Sequence, residues 1–148
     1  MTLNLVASDV AGVLREFFPD NVLHHYIEEL WVDSNYLFDL CKLLKENKNF
    51  NLEYLVSITC VDYVDRFQLV YHMKSIEYNH SLVVKTDLIG RDSLNVSSVI
   101  NIWPAADLQE REIWDLMGIH FTDHPNLKRI MTWEGFEGHP LRKDHLGG

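Results

Sequence analysis

The chain has 148 residues, with 22 Asp and Glu against 13 Lys and Arg, eight histidines, two cysteines and a formal charge of −9. At 47% apolar and 24% charged it reads as one folded domain with its own core, and it is too acidic for a nucleic-acid binder, which needs a basic footprint. Cys41 and Cys60 are too few for an iron–sulfur cluster or an all-cysteine zinc site.

Met1–Ser8 has no basic residue and no apolar run before Asp9, so no leader is expected and the two cysteines are expected to be core thiols. Val6, Val10, Val13, Leu14 and Phe17 then recur at helical spacing with Asp9 in the first turn, and Pro19-Asp20-Asn21 supplies a stop. Val22–Tyr26 and Ile27–Val32 read as short strands. Asp33 or Ser34 is an N-cap for a second helix with Leu37, Leu40, Cys41 and Leu44 on one stripe, ending at Asn47–Asn51. Tyr54–Val61, Phe67–Met73 and Ser81–Thr86 are dense in β-formers. In the first of these, Tyr54, Val56, Ile58 and Cys60 share a face, and the apolar Leu55 and Val61 imply cover on both sides at its ends. The expected class is α+β and two-layer: helix, two strands, helix, three strands, with a mixed, largely antiparallel sheet, then a further helix and an extended C-terminal tail.

Six of the seven glycines and three of the four prolines lie beyond position 89. The uncharged stretch 93–106 is too short and polar for a membrane span, which needs about 20 apolar residues. Ser97–Ile100 reads as a short turn of helix. Pro104 suits the first position of a helix running to about Met117, with Gly118 as its left-handed cap. Residues 1–130 are read as a single domain and 131–148 as an extended tail that needs a surface to lie on.

The third helix carries the polar pattern. Asp107, Arg111 and Asp115 stand at i, i+4 spacing as an ion ladder, worth about a few tenths of a kcal/mol per pair. Glu110 falls at the edge of the apolar arc. It reads either as a general acid or base or, by preference, as the structural partner of an arginine such as Arg129 or one on a neighbouring chain. His120, His124 and His139 are a conceivable zinc set with Glu110. However, Gly118 and Pro125 break the helix that would align the first two. No nucleophile elbow, phosphate loop or dinucleotide fingerprint is present. Trp103, Trp114, Phe121, Trp133 and Phe136, with Arg129, Arg142 and Lys143, supply residue types favoured at interfaces. From Trp133 onward an interface is the preferred reading. Charge divides accordingly, with −10 over residues 1–124 and +1 over residues 125–148.

The run Glu110-Arg111-Glu112-x-Trp114-Asp115-x-x-Gly118-Ile119-x-Phe121-x-x-His124-Pro125-x-Leu127-x-Arg129-Ile130 resembles the signature of the family of C subunits of NADH–quinone oxidoreductase, which includes the chloroplast and mitochondrial counterparts in respiratory complex I. Gly138-His139-Pro140-Leu141-Arg142-Lys143-Asp144 resembles the family's second block. The likeness is strongest over residues 103–144. It implies a non-catalytic subunit of the hydrophilic arm of a proton-translocating complex, packed against the large subunit that helps form the quinone pocket. The chain itself would bind no cofactor or metal, with NADH, FMN, iron–sulfur clusters and quinone on partner subunits. The residues of both blocks would be packing and docking elements, and the chain would lie peripherally at the cytoplasmic side of the cell membrane. Relatives commonly continue Arg-Lys-Asp with Phe-Pro, and many have a longer tail; this chain has His145-Leu146 and ends at Gly148, so a shorter reach over the large subunit is expected. Related chains serve membrane-bound hydrogenases and deazaflavin-dependent dehydrogenases, so the donor module stays open. A stand-alone zinc enzyme using His120, His124 and His139 is the remaining alternative.

Overall fold

The computed structural model describes residues 3–146. Met1 and Thr2, which open the segment read for a leader, and Gly147–Gly148 at the end of the tail lie outside the described residues. Helix α1 (Ala7–Phe17) buries Ala7, Val10, Ala11 and Leu14, and leaves Val6 and Phe17 exposed at its ends. Strands β2 (Val22–Tyr26) and β3 (Glu29–Val32) are separated by a turn at Ile27, whose φ of 48° is unusual for a β-branched residue. The Ile27 carbonyl accepts from Ala7 N at 2.8 Å, so this turn satisfies a free donor at the start of α1. Asp33 caps a single 3-10 turn by accepting from Asn35 N, and α2 (Leu37–Glu46) follows with the expected buried stripe. Both cysteines are free thiols, Cys41 fully buried and Cys60 partly so.

Strands β4 (Tyr54–Asp62), β5 (Arg66–Ser75) and β6 (His80–Ile89) form the centre of a six-stranded sheet in the order β2-β3-β6-β5-β4. All its pairings are antiparallel except β3 on β6 and the short β1 (Leu3–Asn4) on β6, which the sequence did not suggest. The mixed, largely antiparallel α+β architecture is the one expected. The inward face of β4 is not. A bulge between Leu55 and Ser57 shifts the two-residue period, so Leu55 and Ile58 point inward while Tyr54 and Val56 stand about half exposed.

Two expectations after Gly90 need correction. The helical turn expected over Ser97–Ile100 does not form there: Ser97 ends strand β7 (Asn95–Ser97), which pairs in parallel with β8 (His120–Thr122) and so buries Val96 and Phe121, and the chain turns only after Val99. Helix α3 spans Ala106–Met117, so Pro104 lies in the turn before it rather than at its first position. The Trp103 N–H reaches Val99 O and its indole reaches Leu52 O, which fixes the chain in a turn until Ala106. Gly118 caps α3 as expected, with φ of 79°. The helices and the sheet share one core, and α3 packs along β4, where Gln109 accepts from the edge amide of Ile58. Among the described residues no helix is long and apolar enough to cross a membrane.

Candidate functional site

The cap amide of Gly118 closes the last turn of α3 on Trp114 O, which leaves the carbonyls of Asp115, Leu116 and Met117 without helical partners, and no basic residue stands in that turn. The tail supplies what is missing. His139 Nδ1 donates to Asp115 O at 2.9 Å, Leu141 N to Leu116 O at 2.9 Å and Arg142 Nη1 to Met117 O at 3.3 Å. All three acceptors are therefore occupied, and a guanidinium sits at the negative end of the helix dipole. Because His139 Nδ1 faces a carbonyl, it is the nitrogen that carries the proton. A Cβ at position 118 would come within 2.7 Å of the His139 ring, so glycine is required there by space as well as by φ.

Asp115, with no exposure, is the centre of the arrangement. Its carboxylate accepts from Arg129 Nη1 at 2.9 Å, from the amides of Ile130, Met131 and Thr132, and from the Thr132 hydroxyl. Burial alone would raise its pKa. The hydroxyl and amide of Thr132, with Arg129 and Ile130 N, outweigh burial and hold it well below the usual carboxylate range. The second nitrogen of Arg129 reaches Gly138 O at 2.8 Å. The expected ladder of Asp107, Arg111 and Asp115 therefore does not form. Residues 124–132 lie along that face, and their backbone offers stronger partners than a solvated neighbour. Arg111 donates to the carbonyls of Lys128 and Arg129. Asp107 faces His124, whose Nε2 is 3.2 Å from the Asp107 carbonyl and whose Nδ1 accepts from Asn126 N.

Glu110 also departs from its expected partner. It is fully buried and meets no arginine; it accepts from the Ser98 hydroxyl and from Val99 N at 3.0 Å. Burial pushes its carboxyl up to about 7 against the pull of those two donors. Arg129 is committed to Asp115 because the turn at Gly118 brings the following chain back along the other side of the helix.

The second block is fixed by residues that no local pattern marked. Asp62, at the end of β4, accepts from Arg91, from Val64 N at 2.8 Å and from Lys143 N at 2.9 Å. The Arg91 contact comes first among the causes that hold its carboxyl well below the ordinary range. Asp144 pairs with Arg91 at 2.9 Å and with Arg142 at 2.9 Å, and both guanidiniums lie over the buried Phe67 ring, 4.7 and 4.9 Å from its centroid. Asp62 and Lys143 are 81 positions apart, so nothing short of the fold links them. Ser98, Arg91 and Asp62 were all missed for that reason.

Of the other block residues, Ile119 and Phe121 join the core and Leu127 packs against it. Glu112, Pro125, Leu141 and Lys143 are exposed, while Trp114 and Pro140 are half-buried. His120 and His139 flank the Trp114 ring, with centroids 6.1 and 5.1 Å away, and His124 lies against Asp107 instead. Among the described residues no three His, Cys, Asp or Glu side chains gather where a metal ion would sit. Outward, the chain presents Met131, Trp133, Leu141 and Leu146 at 64, 70, 60 and 92% exposure.

The site is thus a helix end locked by its own C-terminal segment, with Asp115, Arg129 and His139 turned onto the helix and Met131, Trp133, Leu141 and Leu146 exposed. Residues 30–148 match the model of the respiratory-chain NADH dehydrogenase 30 Kd subunit family, and the chain belongs to that family. It is 42% identical over 135 residues to the NADH-quinone oxidoreductase C subunit of Moorella thermoacetica, covering 88% of this chain and 89% of that protein. Identity to the corresponding C subunit of Hyphomonas neptunium is 38% over 146 residues, covering 93% and 70%. Among solved structures, a chain of the membrane-bound sulfane sulfur reductase, an archaeal respiratory membrane complex, matches with a TM-score of 0.71 at 26% identity, covering 93% of this chain and 84% of that one.

Proposed function

We propose that this chain is a non-catalytic, cofactor-free subunit of the peripheral arm of a proton-translocating NADH–quinone oxidoreductase. It packs against the large quinone-site subunit through residues 131–146 and is held at the cytoplasmic side of the cell membrane by its partners, which carry the flavin, the iron–sulfur clusters and the quinone site. One observation carries the docking part of this reading. The block residues lock the C-terminal segment onto α3, and the locked segment turns Met131, Trp133 and Leu141 outward. Large aromatic and aliphatic side chains held rigidly at the surface are typical anchors of protein interfaces. Preorganisation also lowers the ordering cost of binding.

The test is purification of the tagged full chain from membranes, with identification of the chains that accompany it. Large-subunit and other hydrophilic-arm chains are expected, and the isolated chain is expected neither to oxidise NADH nor to reduce a quinone. Turnover by the isolated chain would refute the non-catalytic role. The fold match to the archaeal complex favours a second reading, in which the chain holds the same position beside a different donor module. The identity of the co-purifying chains separates the two.

A further inference from the structure

Between Arg129 and His145 the chain closes around Phe136. The Arg129 guanidinium lies 5.6 Å from the Phe136 ring centroid, and the His145 ring stacks on it at 6.1 Å. Phe136 N donates to Trp133 O at 3.0 Å, and the Trp133 ring lies across Gly135, where an added Cβ would fall 2.2 Å from it. This leaves an open cleft of about 500 Å³ walled by Trp133, Phe136, Glu137, His145 and Leu146.

Glu137 stands in the wall of the cleft, and Glu134 follows Trp133 in sequence. Arg129 is engaged by Asp115 and Gly138 O, and Arg142 by Asp144 and two carbonyls. Glu134 and Glu137 are exposed and form no ion pair with any described residue. From Met131 to Leu141 the chain has these two carboxylates and no Lys or Arg. A purely apolar partner pressed into this cleft would strip water from the Glu137 carboxylate and return nothing. A cationic side chain would pair with it and also stack on the exposed Trp133 indole.

We propose that the cleft receives a cationic side chain, arginine by preference, from the subunit on which the tail docks. Arginine suits it because a flat guanidinium stacks on indole while forking to a carboxylate. This inference rests on the docking reading above and names the chemistry of the partner within it.

The test uses the tagged full chain in the complex purified from membranes. Release across a sodium chloride titration is compared for wild type, the double variant E134Q/E137Q, and W133L. Each variant is expected to dissociate about tenfold faster than wild type, and the triple combination to add little, since Trp133 and Glu137 wall the same cleft and meet one cation. The two glutamates are solvent-exposed and unbonded, so the thermal unfolding midpoint of the double variant is expected to match wild type, which separates docking from folding. A photo-crosslinking residue at position 133 is expected to attach to a partner peptide containing Arg or Lys. If wild type stays bound and E134Q/E137Q is released identically, or the crosslink falls on a peptide without a basic residue, the cation is overturned and the docking survives. If wild type does not co-purify at all, the docking reading fails and the cation with it.

Discussion

Replacing Glu110 with glutamine removes the one buried carboxyl whose proton affinity the fold raises strongly. In the folded chain it titrates at about 7, against 4.5 for an ordinary glutamate. The folded state therefore holds its proton more tightly than the unfolded state. Its contribution is fully present below pH 4.5 and is lost as pH rises through 7. Between pH 5 and pH 8 that loss is about 2–3 kcal/mol. Glutamine preserves the local bonding: its carbonyl accepts from Val99 N, and its amide donates to the Ser98 hydroxyl, which rotates to accept. Urea unfolding of both proteins at pH 5 and pH 8 isolates the effect, because other titrating groups are common to the two. Glu110→Gln is expected to gain about 2–3 kcal/mol relative to wild type on going from pH 5 to pH 8. Parallel pH profiles would show that Glu110 titrates alike in both states, and the account of its burial would be wrong.

Asp115→Asn leaves Arg129 without its counter-charge and loses half of the acceptor capacity at the end of α3. A cost of about 3–5 kcal/mol is expected in chemical denaturation, and a cost near zero would refute the central role of this carboxylate. Gly118→Ala and Gly90→Ala both place an alanine at positive φ, but only at 118 does the new Cβ meet the His139 ring. The former is expected to lower the melting temperature by at least twice as much as the latter. The Tyr71 hydroxyl is buried with no hydrogen-bond partner, so Tyr71→Phe is expected to be neutral or mildly stabilising in the same melts. Destabilisation by more than about 1 kcal/mol would reveal a bond that the geometry does not show.

Legibility in this chain followed the range of the interaction. The stripe of α2 and the Gly118 terminator are decided within one or two turns of chain and stood where the spacing put them, whereas α1 kept Val10 and Leu14 inward but turned Val6 and Phe17 out, and Asp33 caps the 3-10 turn that leads into α2. The inward face of β4 did not follow its spacing, because one bulged residue inverts every alternation before it. Likewise Ser97, expected to open a helical turn, ends a strand because β8 lies beside it.

The two family blocks were legible as patterns, with their residues at fixed spacing. What those residues touch was decided by the tertiary structure. Asp115 turns inward only because residues 129–132 return past it. Arg142 and His139 serve as caps only because the Gly118 turn redirects the chain across the helix end. Asp62 holds Lys143 across 81 positions. A buried carboxylate must find donors, and the open end of a helix must be capped. Sequence alone states those requirements, and only the folded chain determines which residues meet them.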